Sequence, residues 1–287
     1  MLDELSHSLV RHALAEDMGG YGDVTSAWTV PAQQRGRAEI IAREPLVVSG
    51  LPLAAAVVQE IDESCVFAAS CQDGAYVSEG SPVVSIEGSV RSLLGAERTV
   101  LNFLSHLSGV ATQSRRFAEA VEGTGARVVD TRKTTPGLRS WEKQAVRHGG
   151  CANHRYGLFD LVLIKNNHLR AAGGVRQAME SALAARPHYL LVEVEVESAA
   201  DLREAVEAGA DIIMLDNQDV ASLRELVQTA RGLKPDVLLE ASGGVTLDSV
   251  RAIAETGVDL ISTSAITMGA PPVNLSMTLR STGMTKV

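Results

Sequence analysis

The stretch DVLLEASGG, residues 236–244, contains the pattern on which the fold of this chain depends. An almost continuous apolar run ends abruptly in a carboxylate, a hydroxyl group and two glycines. Runs that are likewise apolar and end in charged or hydroxyl side chains recur five times in the second half of the chain, at residues 126–133, 160–165, 189–195, 211–217 and 258–264. Such runs are typical of parallel strands that are buried on both faces. The sequence therefore predicts six parallel strands.

Helical patterns separate these runs. They cover residues 112–122, 175–186, 199–208, 219–231 and 246–256 approximately, and Ser198 and Thr246 precede two of them as expected N-caps. Alternating strands and helices imply right-handed βαβ units around a parallel sheet. Because only six strong strands are present, we predict an α/β fold with an incomplete α/β barrel.

The first part of the chain has a different texture. Residues 2–16 and 91–107 carry helical stripes of apolar side chains, and short alternating runs between them indicate a small sheet with a few helices. We therefore expect an N-terminal domain at 1–110 and a barrel domain at 111–270. Residues 271–287 form a tail with strand character, which we expect to return to the N-terminal domain.

The composition restricts the class of function. The chain has 287 residues and a formal net charge of -9, which argues against a nucleic-acid partner. No apolar run approaches the length of a membrane span, and the N-terminus lacks the pattern of a signal peptide. Three cysteines do not make a disulfide framework, so we expect a cytoplasmic protein. Any important cations must be local, which favours a small anionic ligand.

The densest cationic element follows the first run. Residues 131–139 read TRKTTPGLR, and Thr131, Arg132 and Lys133 come directly after the apolar part of the strand. Arginine offers a planar fork of donors to a carboxylate, and lysine offers a mobile charge. Because catalytic groups in α/β barrels lie at the carboxyl ends of the strands, these side chains are candidates for anion binding.

Two further cationic positions flank the second run. His154 and Arg155 lie in a glycine-bounded loop before it, together with Asn153, and these three can donate to several oxygens of an anion. Lys165 ends the run and has two interpretations. It could pair with a carboxylate, or it could form a Schiff base with a carbonyl substrate.

Carboxylates end the next two runs. Alternation places Glu193 and Glu195 on one side of their strand, and Asp216 ends the following strand. Two or three acids at one barrel mouth suit Mg²⁺, which prefers oxygen ligands. The alternative is ion pairing with the nearby Lys and Arg, which needs no metal. The two interpretations are about equal for Glu193, whereas Glu195 and Asp216 are better candidates for contact with metal or ribose.

The last two runs end in small residues that suit a phosphate group. The final strand-to-helix loops of barrels often bind phosphate, because glycines let backbone N–H groups approach it and a helix N-terminus favours negative charge. The candidate phosphate-binding residues are Ser242, Gly243, Gly244, Thr263, Ser264 and Ala265.

Several of these strings together resemble the quinolinate phosphoribosyltransferase family, a group of type II phosphoribosyltransferases. The resemblance runs in order over nearly the whole chain, and its most specific elements are DTRKTTPGLR at 130–139, GGCANHRYGL at 149–158 and LIKNNH at 163–168. Further matching stretches are GDVT at 22–25, AERTVLNFLSHLSGVAT at 96–112, EVEV at 193–196, MLDN at 214–217 and EASGG at 240–244.

The resemblance implies an N-terminal α/β sandwich domain beside the barrel and a homodimer with shared active sites, with a hexamer as a further assembly. It implies transfer of the phosphoribosyl group from phosphoribosyl pyrophosphate (PRPP) to quinolinate, with loss of CO2, in de novo NAD biosynthesis. Lys133, Glu195 and Asp216 would act in catalysis, the last two also holding Mg²⁺. The residues that would bind quinolinate are Arg98 from the partner subunit, Thr131, Arg132, Lys133, His154, Arg155 and Lys165.

Three positions depart from the usual family pattern. Asn166 stands where an acid usually follows the lysine, Ser264 replaces a glycine in the last phosphate loop, and Asn274 replaces an aspartate in the tail. None of them removes a cationic candidate ligand.

Two other functions stay open from the sequence. A paralogous family linked to molybdenum transport shares the TRKTTPG element but lacks the counterparts of Asn153 and Lys165, both of which are present here. A class I aldolase-type barrel would instead use Lys133 or Lys165 as a Schiff base.

Overall fold

The computed structural model describes residues 3–281, so Leu2 of the predicted first helix and residues 282–287 of the predicted tail lie outside the described residues. The chain divides into two compact units. The first comprises Met1–Gln113, Ser140–Gly149 and Ala270–Val287, and the second comprises Ser114–Arg139 and Gly150–Gly269.

The described residues form twelve strands and ten helices. The strands are β1 Arg35–Ala42, β2 Leu46–Val47, β3 Val66–Ala69, β4 Tyr76–Val77, β5 Pro82–Ser89, β6 Arg127–Val129, β7 Val162–Ile164, β8 Val192–Val196, β9 Ile212–Asp216, β10 Leu238–Ser242, β11 Leu260–Ser262 and β12 Leu275–Ser281. The helices are α1 Glu4–Met18, α2 Val24–Thr29, α3 Leu51–Ile61, α4 Val90–Ala120, α5 Arg139–His148, α6 Asn166–Ala172, α7 Val175–Ala185, α8 Ala199–Glu207, α9 Val220–Leu233 and α10 Leu247–Ala254.

The second unit is built on a six-stranded parallel sheet in the order β6-β11-β10-β9-β8-β7. Its strands are the six predicted runs, so the predicted α/β fold and the incomplete barrel are confirmed. All five pairings are parallel and in continuous register, which brings the carboxyl ends of the strands to one edge. Side chains that follow the six strands therefore meet at that edge.

Local sequence explains why strands and helices begin where they do in this unit. All five residues of β8 are buried, as expected of a strand covered on both faces. Ser198 accepts a hydrogen bond from the N–H of Asp201, and Thr246 accepts one from Ser249, which confirms both predicted N-caps. These caps satisfy N–H groups that the first helical turn leaves without a partner.

The helix α4 differs from the prediction. The sequence predicts separate helices at 91–107 and 112–122, whereas the structure has one helix of 31 residues, Val90–Ala120. Gly109 lies inside it and does not end it. A Cβ atom at Gly109 would lie 2.2 Å from the carbonyl oxygen of Pro271. The glycine therefore allows close packing of the chain against the helix.

The first unit contains a four-stranded antiparallel sheet in the order β12-β1-β5-β3. In β1 the alternate residues Ala38, Ile40 and Ala42 are fully buried, which is the period of a sheet with one face in the core. The strand β12 pairs with β1 from Ala42↔Leu275 to Gly36↔Ser281.

Most of α5 also belongs to the first unit, and no helix is predicted at these positions from the sequence. Trp141 on this helix donates from Nε1 to the hydroxyl of Ser6, and Nε2 of His106 lies 2.8 Å from Oε1 of Glu142.

Among residues 3–281, none of the helices has both the length and the apolar composition that a bilayer crossing requires.

Candidate active site

A cavity of about 320 Å³ opens at the carboxyl edge of the parallel sheet in the second unit. This volume is in the range of small-molecule sites. Seven predicted site residues line it, namely Thr131, Arg132, Lys133, His154, Arg155, Lys165 and Ser242. Four residues without a predicted role complete the lining, namely Leu163, Met214, Glu240 and Ser262. The structure thus brings the cationic residues from three separate segments into one pocket.

The loop after β6 is held by its own hydrogen bonds. The N–H of Lys133 donates to the hydroxyl of Thr131 (3.0 Å), and the hydroxyl of Thr267 donates to the carbonyl of Lys133 (2.8 Å). Arg139 donates from Nη2 to the carbonyl of Arg132 (3.1 Å) and from Nη1 to that of Tyr156 (3.2 Å). Arg139 therefore braces the two loops that carry the cationic ligands.

The guanidinium groups of Arg132 and Arg155 face a common space. The Nε of Arg132 is buried and finds no hydrogen-bond partner in the described part of the chain. Burial and the nearby Arg132 charge both lower the pKa of Arg155. Two adjacent cations, one with an unsatisfied buried donor, are the arrangement expected of a site that awaits an anion.

His154 sits between two buried carboxylates. Its Nε2 lies 3.1 Å from Glu193 Oε2 and 3.2 Å from Glu240 Oε2, and both glutamates have no exposed surface. Nε2 lies at nearly equal distances from the two Oε2 atoms, so the N–H of the ring points between the two carboxylates rather than directly at either of them. On the other side of the ring, Nδ1 accepts the backbone N–H of Arg155 at 2.7 Å.

A second proton, in addition to the one on Nε2 of His154, has two possible positions in this cluster. Burial disfavours the charged ring, but the two carboxylates outweigh burial and raise the pKa of His154 to about 10, which would place a proton on Nδ1. Burial also raises the pKa of Glu193, which would place the proton there instead. Both arrangements carry the same net charge. Since a proton on Nδ1 would collide with the N–H of Arg155, we assign the proton to the carboxyl group.

Lys165 comes directly after β7, and its ammonium lies 3.5 Å from Glu195 Oε2. Its backbone N–H donates to Nδ1 of His168 at 2.9 Å. The neighbouring Asn166 donates from its amide to the carboxylate of Glu197. An acid at position 166 would face Glu197 with a like charge, which explains why asparagine suits this chain.

Glu195 and Asp216 occupy the acidic side of the same edge. The register places Glu195 beside Met214 and Glu240, and it places Asp216 beside Ser242, one pocket-facing row further along the strands. Three of these neighbours line the cavity, so both carboxylates lie on its side of the sheet. Asp216 also accepts a hydrogen bond from the amide of Asn217 at 2.7 Å.

The glycine loop after β10 presents unpaired backbone donors. Gly243 and Gly244 have positive φ angles of 97° and 60°. Among residues 3–281, none accepts a hydrogen bond from their N–H groups or from that of Ser264. In contrast, the hydroxyl of Thr263 donates to Val245 and accepts the N–H of Ala265. The predicted phosphate loops thus offer three backbone N–H donors. The hydroxyl of Thr263 and the N–H of Ala265, which are also predicted to bind phosphate, are already hydrogen-bonded within the protein.

Not every predicted residue reaches this pocket, and two buried carboxylates that contact its loop carry no predicted role. Arg98 lies on α4 in the first unit, with its side chain exposed, and is not part of the cavity. Glu240 and Asp130, both fully buried, contact the pocket loop but have no predicted role. Alternation could have indicated Glu240, since it precedes Ser242 by two residues just as Glu193 precedes Glu195.

The chain matches one protein family along almost all of its length. Residues 23–108 match the quinolinate phosphoribosyl transferase N-terminal domain, and residues 110–278 match the C-terminal domain of the same family. The chain is 42% identical over 264 residues to a probable nicotinate-nucleotide pyrophosphorylase [carboxylating] of Synechocystis, covering 92% of this chain and 89% of that protein. It is 38% identical over 278 residues to the nicotinate-nucleotide pyrophosphorylase [carboxylating] of Mycobacterium leprae, covering 96% and 98%.

Solved structures agree with the sequence matches. The nicotinate-nucleotide pyrophosphorylase from Francisella tularensis superposes with a TM-score of 0.91 at 39% identity, covering 98% of each chain. Together with the matches to both domains of the family, this similarity shows that the chain belongs to the quinolinate phosphoribosyl transferase family.

Proposed function

We propose that this chain transfers the phosphoribosyl group of PRPP to quinolinate and releases pyrophosphate, CO2 and nicotinate mononucleotide. One observation carries the proposal. In a chain of net charge -9, one pocket gathers two arginines and two lysines beside a loop of unpaired backbone N–H groups. Such a pocket suits a small dianion that meets a phosphorylated partner.

The cationic side suits the two carboxylates of quinolinate. Arg132 and Arg155 each offer a planar pair of donors, and the unsatisfied Nε of Arg132 would gain a partner. Lys133 and Lys165 add mobile charges at the rim, and Thr131 adds a hydroxyl group. A dianion placed there would relieve the repulsion between the two guanidinium groups.

The glycine side suits the 5-phosphate of PRPP. The N–H groups of Gly243, Gly244 and Ser264 are available at the end of two neighbouring strands. Helix α10 begins directly afterwards at Leu247, and its N-terminus favours negative charge. Ser242 stands at the start of this loop, where its hydroxyl accepts a hydrogen bond from Ser262.

Glu195 and Asp216 fit the requirements of a Mg²⁺ site. They supply oxygen donors on adjacent strands, on the pocket side of the sheet. Two protein carboxylates are the usual number for Mg²⁺, which keeps its other positions for water and substrate oxygens. When bound, the ion would neutralise charge on the leaving pyrophosphate. The ammonium of Lys165, 3.5 Å from Glu195, would help to orient that carboxylate.

The chemistry asks the protein for positioning and charge stabilisation rather than for a general base. The lone pair of the pyridine nitrogen attacks C1 of the ribose, and the electron pair of the C1–O bond leaves with pyrophosphate. The nucleophile carries no proton to remove. The carboxylates of Glu195 and Asp216 would favour the positive charge that develops on the ribose. Lys133, exposed at the rim, would approach the leaving group.

Decarboxylation follows from the first step. Once its nitrogen is quaternary, the ring accepts the electron pair of the bond to the 2-carboxylate, CO2 departs, and a solvent proton replaces it. The arginines would hold the remaining carboxylate during this step, which keeps the ring in place.

The geometry does not favour an aldolase. A Schiff-base lysine is activated by a desolvated apolar setting or a neighbouring cation. The side chain of Lys165 is 50% exposed and pairs with Glu195, and Lys133 is also exposed. The comparisons give no support to this function or to the transport-linked paralogue.

The proposal includes a homodimer in the cytoplasm. Arg98 is exposed on α4 and pairs with no described residue, which suits a side chain that completes the site of a partner subunit. All three cysteines are free, as the reducing cytoplasm requires. Mixing an Arg98→Ala subunit with an Arg155→Ala subunit should restore about a quarter of wild-type activity by forming one intact site per mixed dimer, if subunits pair at random.

The reaction itself is tested by incubating the protein with quinolinate, PRPP and Mg²⁺. We expect equal amounts of CO2, pyrophosphate and nicotinate mononucleotide. Absence of turnover, or pyrophosphate release without CO2, would contradict the proposal. Glu195→Gln with Asp216→Asn is the matched control, since it keeps the side-chain shapes and removes both charges.

A further inference from the structure

Asp130 holds the loop that carries Arg155 through hydrogen bonds. This carboxylate comes directly after β6 and has no exposed surface. It accepts hydrogen bonds from the side-chain amide of Asn153 (2.7 Å) and from the backbone N–H of His154 (2.8 Å). The amide of Asn153 is therefore used within the protein, and the two residues before Arg155 are fixed to the end of a strand.

Both ring nitrogens of His154 are engaged by the protein as well. Nδ1 accepts the backbone N–H of Arg155, and Nε2 is directed between the buried carboxylates of Glu193 and Glu240. A ring held on both sides by the protein has no nitrogen directed to a substrate carboxylate. The ring instead connects two buried strands to the backbone of Arg155.

A metal ion is a second way to interpret this cluster, because the three ligand atoms lie within 4.8 Å of one another. The hydrogen bond at Nδ1 argues against it. Since Nδ1 accepts a hydrogen bond from the backbone N–H of Arg155, the single proton of the neutral ring belongs to Nε2, which then has no lone pair for a metal. Binding a cation there would require an anionic ring or the loss of the Arg155 contact.

We propose that His154 is a positioning residue that acts through Arg155, and that Glu193 and Glu240 hold its ring, so that His154 is not a ligand of quinolinate. The role follows from geometry, and its effect on quinolinate rests on the function proposed above. It also assigns Asn153 to the support of the loop, which leaves Arg155 as the side chain of this motif that meets the substrate.

A physical reason exists for such support. Burial and then the like charge of Arg132 lower the pKa of Arg155, and the repulsion between the two guanidinium groups would displace Arg155 from an unrestrained loop. Its backbone is held by His154, and its Nη1 donates to the carbonyl of Leu161 at 3.2 Å. Preorganisation of this kind reduces the cost of ordering the arginine when the anion binds.

A second histidine, in the first turn of α6, has the same relation to a second cation. His168 accepts the backbone N–H of Lys165 through Nδ1 at 2.9 Å, just as His154 accepts that of Arg155. Two cationic residues, on either side of β7, are thus each held at the backbone by an imidazole ring.

The test is a double-mutant cycle on quinolinate KM with His154→Ala and Arg155→Lys. We expect His154→Ala to raise the KM about tenfold or more in the wild-type background and less than about twofold in the Arg155→Lys background. The KM for PRPP should stay within about twofold in every variant. Equal factors in both backgrounds would show that His154 contacts quinolinate directly and would overturn the proposal.

Glu193→Leu provides the second variant if His154→Ala does not fold, because it removes the carboxyl group that the ring N–H contacts while keeping a similar side-chain volume. Glu193 is fully buried and does not line the cavity, and its Oε2 contacts Nε2 of His154 at 3.1 Å, so we expect its effect on quinolinate to pass through Arg155. We expect it to raise quinolinate KM in the wild-type background and to have little further effect in Arg155→Lys. An unchanged quinolinate KM in the wild-type background would contradict the proposed path of contacts from Glu193 through His154 to Arg155.

Hydrogen exchange separates this inference from the proposed reaction. In the protein without substrates, the Arg155 amide should exchange at least about tenfold faster in Glu193→Leu than in wild type, whether or not the protein turns over quinolinate. An unchanged exchange rate would overturn the positioning role. Failure of wild-type turnover, with faster exchange in the variant, would instead contradict only the proposed reaction.

Discussion

The two sides of the pocket offer different parts of the chain to their proposed ligands. The cationic side uses the side chains of Arg132, Arg155 and Lys165, each of which rests on further side chains that fix its loop. The glycine side uses backbone N–H groups at Gly243 and Gly244, whose positions follow directly from the end of a strand. Side-chain ligands therefore need neighbouring side chains that hold their loops by hydrogen bonds, whereas backbone ligands need space and an unusual φ angle.

The largest effect should come from the cationic side. Arg155→Ala or Arg132→Ala should cost about 2–5 kcal/mol in quinolinate binding, because a carboxylate loses its paired donors. This corresponds to a roughly 30-fold to several-thousand-fold weaker Kd, measurable by calorimetry. The KM for PRPP should change little. If both substrates lost affinity equally, the division of the pocket into two sides would be wrong.

A smaller effect should come from crowding the backbone at Gly243. Its φ is 97°, and a Cβ would lie 2.2 Å from Oδ1 of Asn217, itself a non-glycine residue at positive φ next to Asp216. We expect Gly243→Ala to destabilise the protein by about 1–3 kcal/mol and to raise the KM for PRPP more than that for quinolinate.

Gly209→Ala is the matched control for this prediction. Gly209 has a φ of 88° after α8, and a Cβ there would meet only Leu183, at 3.9 Å. It should lower stability by about 1 kcal/mol, with both KM values unchanged. If Gly243→Ala matched this control in stability and in both KM values, the close approach of Asn217 would not be the reason for glycine at position 243.

The pair of Asn166 and Glu197 should give a modest effect. Asn166→Asp would place like charges together and should cost about 0.5 kcal/mol of unfolding free energy, more at low salt. Asn167→Asp adds the same charge in the same helical turn, where the residue is exposed, and should cost nothing. Chemical denaturation of the two variants compares them, and equal stability would show that Glu197 does not decide the residue at 166.

The smallest effect should come from Ser264→Gly. The proposed phosphate contact at this position is the backbone N–H, which glycine retains. The KM for PRPP should therefore change by less than about twofold. A tenfold increase would show that the hydroxyl of Ser264 takes part, and it would make the phosphate side depend on side chains after all.

The sequence predicts the parts of this molecule that depend on local pattern. Buried parallel strands have continuous apolar runs, and polar residues at their ends meet because all six strands run in one direction. It was therefore predictable that Thr131 to Lys133 and Lys165 lie at the same edge of the sheet. Capping by Ser198 and Thr246 was also predictable, because the hydrogen bond spans only three residues.

Other features depend on contacts between distant residues. Alternation indicates that Glu193 and Glu240 face inward, but it does not show that both reach His154 from strands separated by β9. Likewise, Gly109 resembles a helix break until the packing of Pro271 against α4 is known. Such features require the tertiary structure, because local sequence is the same for either outcome.

The preference of the pocket for a dianion tests the central claim most directly. Calorimetric titration of wild type and Arg155→Ala with quinolinate and with pyridine-3-carboxylate compares two and one carboxylate on the same ring. We expect wild type to bind quinolinate at least about 30-fold more tightly, and Arg155→Ala to lose most of that preference. Similar affinities for the two acids in wild type, or a preference that survives in Arg155→Ala, would contradict the account.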